Sequence, residues 1–111
     1  MKQDITGYAF DDESTEKTIR KVYKEDGYLL DPHGAVGYLA LEEYRKTHPG
    51  AYGLVLETAH PAKFLEDMER ILEQPIAVPE RLAVMANREK VSIKMGTGFD
   101  EFKAWLTALE V

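Results

Sequence analysis

Cysteine is absent from the 111 residues of this chain, and no long hydrophobic run occurs in it. Without cysteine the chain has no disulfide, no thiolate metal ligand and no cysteine nucleophile, which fits a reducing compartment. No apolar run approaches the ~18 residues that a transmembrane helix requires, and the first residues lack the apolar region of a signal peptide. The sequence therefore predicts a cytoplasmic protein with no membrane partner.

Positive charge is scarce as well, because 14 Lys and Arg residues face 20 Asp and Glu residues, for a net charge of −6. A chain with this excess of acidic residues lacks the positive charge that is typical of nucleic-acid-binding proteins, and an anionic membrane surface would repel it. Hydrophobic residues make up 44% of the chain, which is too much for a disordered segment. The length suits one domain, so we expect residues 1–111 to form a single module without an internal boundary.

Five stretches show the spacing of apolar residues that is typical of helices. The first follows Asp11 and ends at Gly27, which we expect in the left-handed conformation of a helix C-terminus. The second begins at Asp31-Pro32, an N-cap followed by proline at the first helical position, and runs to about Lys46. The remaining three are predicted over residues 61–73, over residues 79–85 and after the N-cap Thr97.

Four intervening stretches are typical of β-strands because they carry β-branched and aromatic residues, or alternate apolar with polar ones. They are residues 5–10, 28–30, 53–57 and 90–95. The nearly continuous apolar run at 53–57 predicts a central strand that is buried on both faces. Strands alternating with helices favour an α/β fold, here a partial layered sheet with flanking helices.

Two turns join a predicted strand to a helix start, where ligands bind in open α/β sheets. The first turn carries Asp31 and His33, and the second carries Thr58 and His60. The two histidines have the side chain for general base chemistry, while Asp31 and Thr58 are also residue types that cap helices and turns. A purely structural role for each of the four therefore stays open beside a ligand-binding role.

Gly34 and Gly37 lie in the first two turns of the second helix, where glycine costs ~0.5–1 kcal/mol relative to alanine. Their presence predicts the close approach of a ligand or of another segment of the chain. Phosphate-binding glycine motifs, the G-x-S-x-G elbow and the H-E-x-x-H zinc motif are absent. Because the spacing of Asp31, His33 and His60 matches no zinc signature, we expect no metal site.

At these two turns the sequence resembles the C-terminal part of threonine synthase, in its longer microbial and fungal form. The matching strings are Gly-Tyr-Leu-Leu-Asp-Pro-His-Gly-Ala-Val-Gly at 27–37 and Glu-Thr-Ala-His-Pro-Ala-Lys-Phe at 57–64. The resemblance implies a C-terminal piece of a fold type II pyridoxal-phosphate enzyme, related to tryptophan synthase β. Such an enzyme converts O-phosphohomoserine and water to L-threonine and phosphate in threonine biosynthesis.

The resemblance assigns residues of this chain to the cofactor site and none to the catalytic step. In this family the threonine of the Thr-Ala-His string hydrogen-bonds the pyridine nitrogen of pyridoxal phosphate, which implies this role for Thr58. A hydroxyl does not hold that nitrogen protonated, so the ring is a weaker electron sink. His60, Asp31 and His33 are expected beside the same pocket, whereas Gly34 stands where threonine is common in the family.

The first hypothesis is a piece of threonine synthase that is inactive alone and whose partner is the N-terminal part of the enzyme. That part carries the Schiff-base lysine and the Gly-rich loop for the cofactor phosphate. The alternative is a free-standing α/β interaction module without catalytic activity. The upstream reading frame distinguishes the two, since a Gly-rich loop and an early active-site lysine indicate the enzyme and a native start at Met1 indicates the module. Apolar surfaces that would meet a missing half also predict self-association.

Overall fold

The computed structural model describes residues 4–109, which form helices joined by irregular segments. In chain order the helices are α1 (Asp12–Asp26), α2 (Pro32–Thr47), a 3-10 turn (Pro61–Phe64) that continues into α3 (Leu65–Leu72), α4 (Glu80–Ala86) and α5 (Phe99–Thr107). The five predicted helical stretches are confirmed, with the 3-10 turn as the first part of the third.

The ends of α1 are fixed by side-chain and backbone caps. The Asp11 carboxylate accepts the backbone N–H of Ser14 at 2.9 Å. At the other end Gly27 has φ +66°, and its N–H donates to the carbonyl oxygen of Tyr23 at 3.1 Å. A side chain would be strained at this φ, so glycine ends the helix at low cost. The predicted start and stop of this helix are therefore confirmed.

The start of α5 differs from the prediction by one residue. Gly98, not Thr97, is the N-cap, and no side chain caps the first turn of this helix. Glycine and threonine are favoured about equally at an N-cap. Residue type alone therefore does not decide which of Thr97 and Gly98 is the N-cap of this helix.

The predicted partial layered sheet is wrong, because none of residues 4–109 lies in a β-strand. The stretches 5–10, 28–30, 53–57 and 90–95 are irregular instead. A strand exists through hydrogen bonds to a neighbouring strand, and strand propensity mainly reports how a side chain fits beside such neighbours. Without pairing in the described part of the chain, β-branched and apolar residues do not make a sheet, and the fold is all-helical rather than α/β.

A small hydrophobic core holds α1, the beginning of α2 and α3 together. Its buried apolar members are Ile19, Val22, Leu30, Ala35, Met68 and Ile71. Two arginines cross between α1 and α3: Arg20 Nη1 donates to the carbonyl oxygen of Ile71 at 3.1 Å, and Arg70 Nη1 lies 2.8 Å from Glu16 Oε1. The arginine contacts join α1 to α3, and the core residues Leu30 and Ala35 hold the start of α2 against them. The candidate site is built on that start.

The chain is more expanded than a compact domain of its length. Its radius of gyration is 19.0 Å, whereas about 13 Å is expected for a compact chain of this size. Large apolar side chains remain exposed before α1, between α2 and the 3-10 turn, and around α4 and α5. Within residues 4–109, no helix is both long enough and apolar enough to cross a membrane.

Candidate functional site

The site is centred on Asp31, the N-cap of α2, whose side chain is fully buried. Its Oδ1 accepts the backbone N–H of His33 at 2.9 Å and lies 2.9 Å from Nδ1 of the same residue. An ionised carboxylate only accepts hydrogen bonds, so the imidazole donates from Nδ1, and in the neutral ring Nε2 is left as an acceptor. The structure therefore brings Asp31 and His33 together, and two hydrogen bonds join them.

The His33 ring reaches from this pair toward the second turn. Its side chain is 66% exposed, and its ring centroid lies 5.3 Å from that of Phe64, the last residue of the 3-10 turn. One side of the imidazole thus packs against the element that follows the second turn while the rest faces solvent. This arrangement suits a group that meets a ligand or a partner.

Gly34 and Gly37 face residues 53–57, which confirms the close approach predicted for these glycines. A Cβ atom on Gly37 would lie 3.3 Å from Cγ1 of Val55, and one on Gly34 would overlap the carboxyl group of Glu57. Val55 and Glu57 are two residues apart in the segment, and the glycines that they face are three residues apart in the helix, in the opposite order along the chain. The segment therefore runs antiparallel to α2 with alternate side chains toward it.

Glu57 belongs to the site although the sequence interpretation did not assign it there. Its two carboxyl oxygens and Oδ2 of Asp31 are buried, and no hydrogen-bond donor meets them in the described part of the chain. Buried polar atoms normally have partners, so three such acceptors together indicate a proton shared between the two carboxyl groups. Glycine at position 34, three residues after Asp31, is the sequence signal that points to this pair.

The two carboxyl groups have opposite pKa shifts. Burial, the hydrogen bond to Asp31 and the charge of Asp31 raise the pKa of Glu57 to about 7. Burial also acts to raise the pKa of Asp31, but hydrogen bonds from Glu57 and from the backbone and ring of His33 outweigh it, so that this pKa is lowered. Below about pH 7 the proton therefore resides on Glu57, which donates it to an ionised Asp31.

The second turn carries His60 and Thr58 in different surroundings. His60 is the N-cap of the 3-10 turn, and its Nδ1 accepts the backbone N–H of Ala62 at 3.1 Å. The neutral His60 ring therefore carries its proton on Nε2, the opposite tautomer from His33. Thr58 is exposed, and its hydroxyl makes no hydrogen bond within the described residues.

A cleft connects parts of the two turns. Residues Tyr28 and Leu29, which precede the first turn, line it together with Glu57, Ala59 and His60 of the second. His60 is thereby placed near the carboxyl pair, whereas Asp31 and His33 lie outside the cleft lining. Within residues 4–109 no group of three or more His, Asp or Glu side chains is arranged to hold a metal ion.

Comparison with known proteins identifies the family of the chain. Residues 34–105 match the family model described as the C-terminal part of threonine synthase. The chain belongs to the threonine synthase family. It is 46% identical over 94 residues to threonine synthase of Escherichia coli (strain K12), a match that covers 84% of this chain and 21% of that protein. It is 40% identical over 101 residues to threonine synthase of Serratia marcescens, covering 91% and 23% of the two chains.

A solved threonine synthase has the same fold in the matched region. The crystal structure of the Escherichia coli enzyme superposes with a TM-score of 0.77 at 42% identity, over 91% of this chain and 23% of that chain. The predicted resemblance to threonine synthase is confirmed. The chain spans about a fifth of the length of the curated threonine synthases that it matches.

Proposed function

We propose that this chain supplies the C-terminal part of a threonine synthase, which converts O-phosphohomoserine and water to L-threonine and phosphate with pyridoxal phosphate. The match of residues 34–105 to the C-terminal family model supports this most directly. In this proposal the chain is inactive alone, its partner is the N-terminal part of the enzyme, and the substrate O-phosphohomoserine binds only to the completed enzyme in the cytoplasm.

An exposed apolar row supports the proposed partner. Tyr52, Leu54 and Leu56 are 102%, 93% and 80% exposed, and they alternate with the residues that face α2. Soluble monomers rarely leave such a contiguous apolar patch exposed to water. The large radius of gyration likewise indicates that much of this chain is not packed against other parts of it. We expect the N-terminal part of the enzyme to cover this row, and self-association of the chain when that part is missing.

The donor set of the second turn fits one side of a pyridoxal phosphate site. Thr58 offers an exposed, unpartnered hydroxyl, which matches the hydrogen-bonding capacity of a pyridine nitrogen. His60 offers an Nε2–H, because its Nδ1 is occupied by the N–H of Ala62. When bound, the cofactor supplies an electron sink for carbanion chemistry. Thr58 would hold and orient its ring, while Asp31 and His33 would lie beside the pocket.

Incubation of the 111-residue chain with pyridoxal phosphate, followed by borohydride reduction and mass analysis, tests the proposed inactivity. We expect no stoichiometric label on any single lysine, because the resemblance assigns the Schiff-base lysine to the N-terminal part. The intact enzyme, treated in parallel, should carry one label, on a lysine outside this chain. Stoichiometric labelling of one lysine in the isolated chain would contradict the proposal.

Substituting Thr58 with alanine in the intact enzyme tests the proposed cofactor contact. We expect turnover to fall about fivefold, since one net hydrogen bond contributes about 1 kcal/mol. Thr58→Ser keeps the hydroxyl and should retain most of the turnover. Thr58 makes no hydrogen bond within the described part of this chain, so we expect turnover to fall by a larger factor than the loss of one cofactor contact lowers the thermal midpoint. Equal turnover in the alanine variant and the unmodified enzyme would remove Thr58 from the site.

A further inference from the structure

Glu57 has no part in the proposed function, yet both of its carboxyl oxygens are buried, as is Oδ2 of Asp31. We propose that Glu57 is a positioning residue, which shares a proton with Asp31 and thereby fixes the orientation and tautomer of the His33 ring. The proton sharing concerns this chain alone. The use of His33 within an enzyme rests on the proposed function.

The geometry of the buried oxygens carries this inference. Asp31 uses Oδ1 for both the backbone and the ring of His33, so Oδ2 is the atom left for Glu57. That Oδ2 and both Glu57 oxygens are buried without another donor in the described chain. A proton on Glu57 turns one of these acceptors into a donor toward Oδ2 and satisfies two of the three oxygens at once.

Space for Glu57 is provided by Gly34. A Cβ atom at position 34 would overlap the Glu57 carboxyl group, so any other residue type would force that carboxyl group to move from its present position. The raised pKa of Glu57 agrees with a carboxyl group that keeps its proton in this position. The result is a series of hydrogen bonds that leads from Glu57 through Asp31 to the exposed imidazole of His33.

Loss of the Glu57 proton would place two buried negative charges side by side. Like charges at contact distance repel strongly in a poorly solvated site. We therefore expect the pair to separate as Glu57 ionises, which changes the hydrogen bonding of Asp31 to His33. Asp31 and His33 face Glu57 directly, and the titratable groups that line the two cavities beside Glu57 are Asp26, Tyr28, Tyr38 and His60.

Nuclear magnetic resonance of the 111-residue chain, labelled at the Glu carboxyl carbons and the His ring nitrogens, tests this coupling. We expect the Glu57 carboxyl signal to titrate with a midpoint near pH 7. A histidine ring can itself gain a proton in this range, so the coupling is measured as the difference between the pH curves of the His33 nitrogen signals in the unmodified chain and in Glu57→Gln. In Glu57→Gln the His33 curve should shift to lower pH, because no negative charge forms at position 57 to favour a protonated ring. The neutral ring should keep its Nδ1–H tautomer, because the amide N–H still donates to Asp31. The inference fails if Glu57 titrates in the ordinary carboxyl range, and it fails equally if the His33 signals do not respond to the substitution.

Two further variants separate proton sharing from a general change in structure. Gly34→Ala should displace the flexible end of Glu57 and return its titration midpoint toward that of an ordinary glutamate, although the carboxyl group is still present. Glu66→Gln removes an exposed glutamate of α3 and should leave the pH curve of the His33 nitrogen signals as it is in the unmodified chain. If Gly34→Ala does not fold, the Glu57→Gln spectra still decide the outcome.

The outcome is independent of the proposed function because the isolated chain is measured without cofactor. A Thr58→Ala enzyme with unchanged turnover would overturn the proposed cofactor contact and leave the carboxyl pair intact. Conversely, His33 signals that ignore Glu57 would overturn the present inference, whatever the turnover of the completed enzyme.

Discussion

At pH 8 the Glu57→Gln chain is expected to be about 2–3 kcal/mol more stable to unfolding than the unmodified chain, and at pH 4.5 the two should differ little. The pKa of Glu57 is raised from 4.5 to about 7 in the folded state, which limits the effect to about 3 kcal/mol. Glutamine has nearly the same shape and still donates to Asp31. It has no proton to lose, so position 57 adds no pH dependence to the free energy of unfolding of the Glu57→Gln chain.

The sign of the pH dependence follows from proton binding. Between pH 4.5 and about 7 the folded state holds the Glu57 proton more tightly than the unfolded state does, so the free energy of unfolding falls as the pH rises. For Asp31 the pKa is lowered in the folded state. The stabilisation that Asp31 contributes is therefore complete above pH 3.8, its ordinary pKa, and is lost as the pH falls below that value. Together the two groups place the greatest stability between about pH 4 and 5.

Urea unfolding curves of both chains at several pH values from 4 to 8 measure this difference. The control is Glu66→Gln, which also replaces one glutamate by glutamine but at an exposed position of α3. Its free energy of unfolding should follow that of the unmodified chain at every pH. If the free energies of unfolding of Glu57→Gln and of the unmodified chain change with pH in the same way, Glu57 is not held in a protonated state.

The helix ends could be predicted from the sequence because their causes are local. Asp11, Gly27 and the pair Asp31-Pro32 each act on backbone groups a few residues away, and the structure places all of them as predicted. The ambiguous end was the start of α5, where glycine and threonine stand close together. Local capping chemistry thus determines most of the boundaries without knowledge of the tertiary structure.

The sheet could not be predicted correctly because it depends on neighbours far away in the chain. Residues 53–57 were expected to be buried on both faces, but only alternate residues face α2, and Leu54 and Leu56 are exposed. A continuous apolar run does not encode this alternation. Whether a run becomes a strand depends on pairing partners, and the described part of the chain provides none.

The site was predicted in part. Asp31 and His33 follow from a helix-start pattern, and the structure joins them by two hydrogen bonds. Glu57 was missed because its place depends on a space left by Gly34, 23 positions earlier in the sequence. The cofactor contact of Thr58 stays a prediction, since an exposed hydroxyl is compatible with it but does not require it.

Replacing Asp31 with alanine is expected to destabilise the chain by about 2–4 kcal/mol at pH 5. The substitution removes the N-cap of α2, which typically costs about 1 kcal/mol, and leaves the Glu57 carboxyl group buried without its acceptor, which costs about 1–3 kcal/mol more. The ring of His33 also loses its only hydrogen-bond partner in the described chain. Urea unfolding at fixed pH gives the free energies directly.

Two variants show which part of this loss belongs to the carboxyl pair. Asp11→Ala removes an N-cap of the same residue type with the same 2.9 Å bond, but that side chain is exposed, so its loss should be clearly smaller. Asp31→Asn keeps a good capping residue and removes the charge that helps to raise the pKa of Glu57. Its stability should therefore fall less steeply between pH 4.5 and 7 than that of the unmodified chain. Equal losses for Asp31→Ala and Asp11→Ala would mean that Asp31 acts as a helix cap and nothing more.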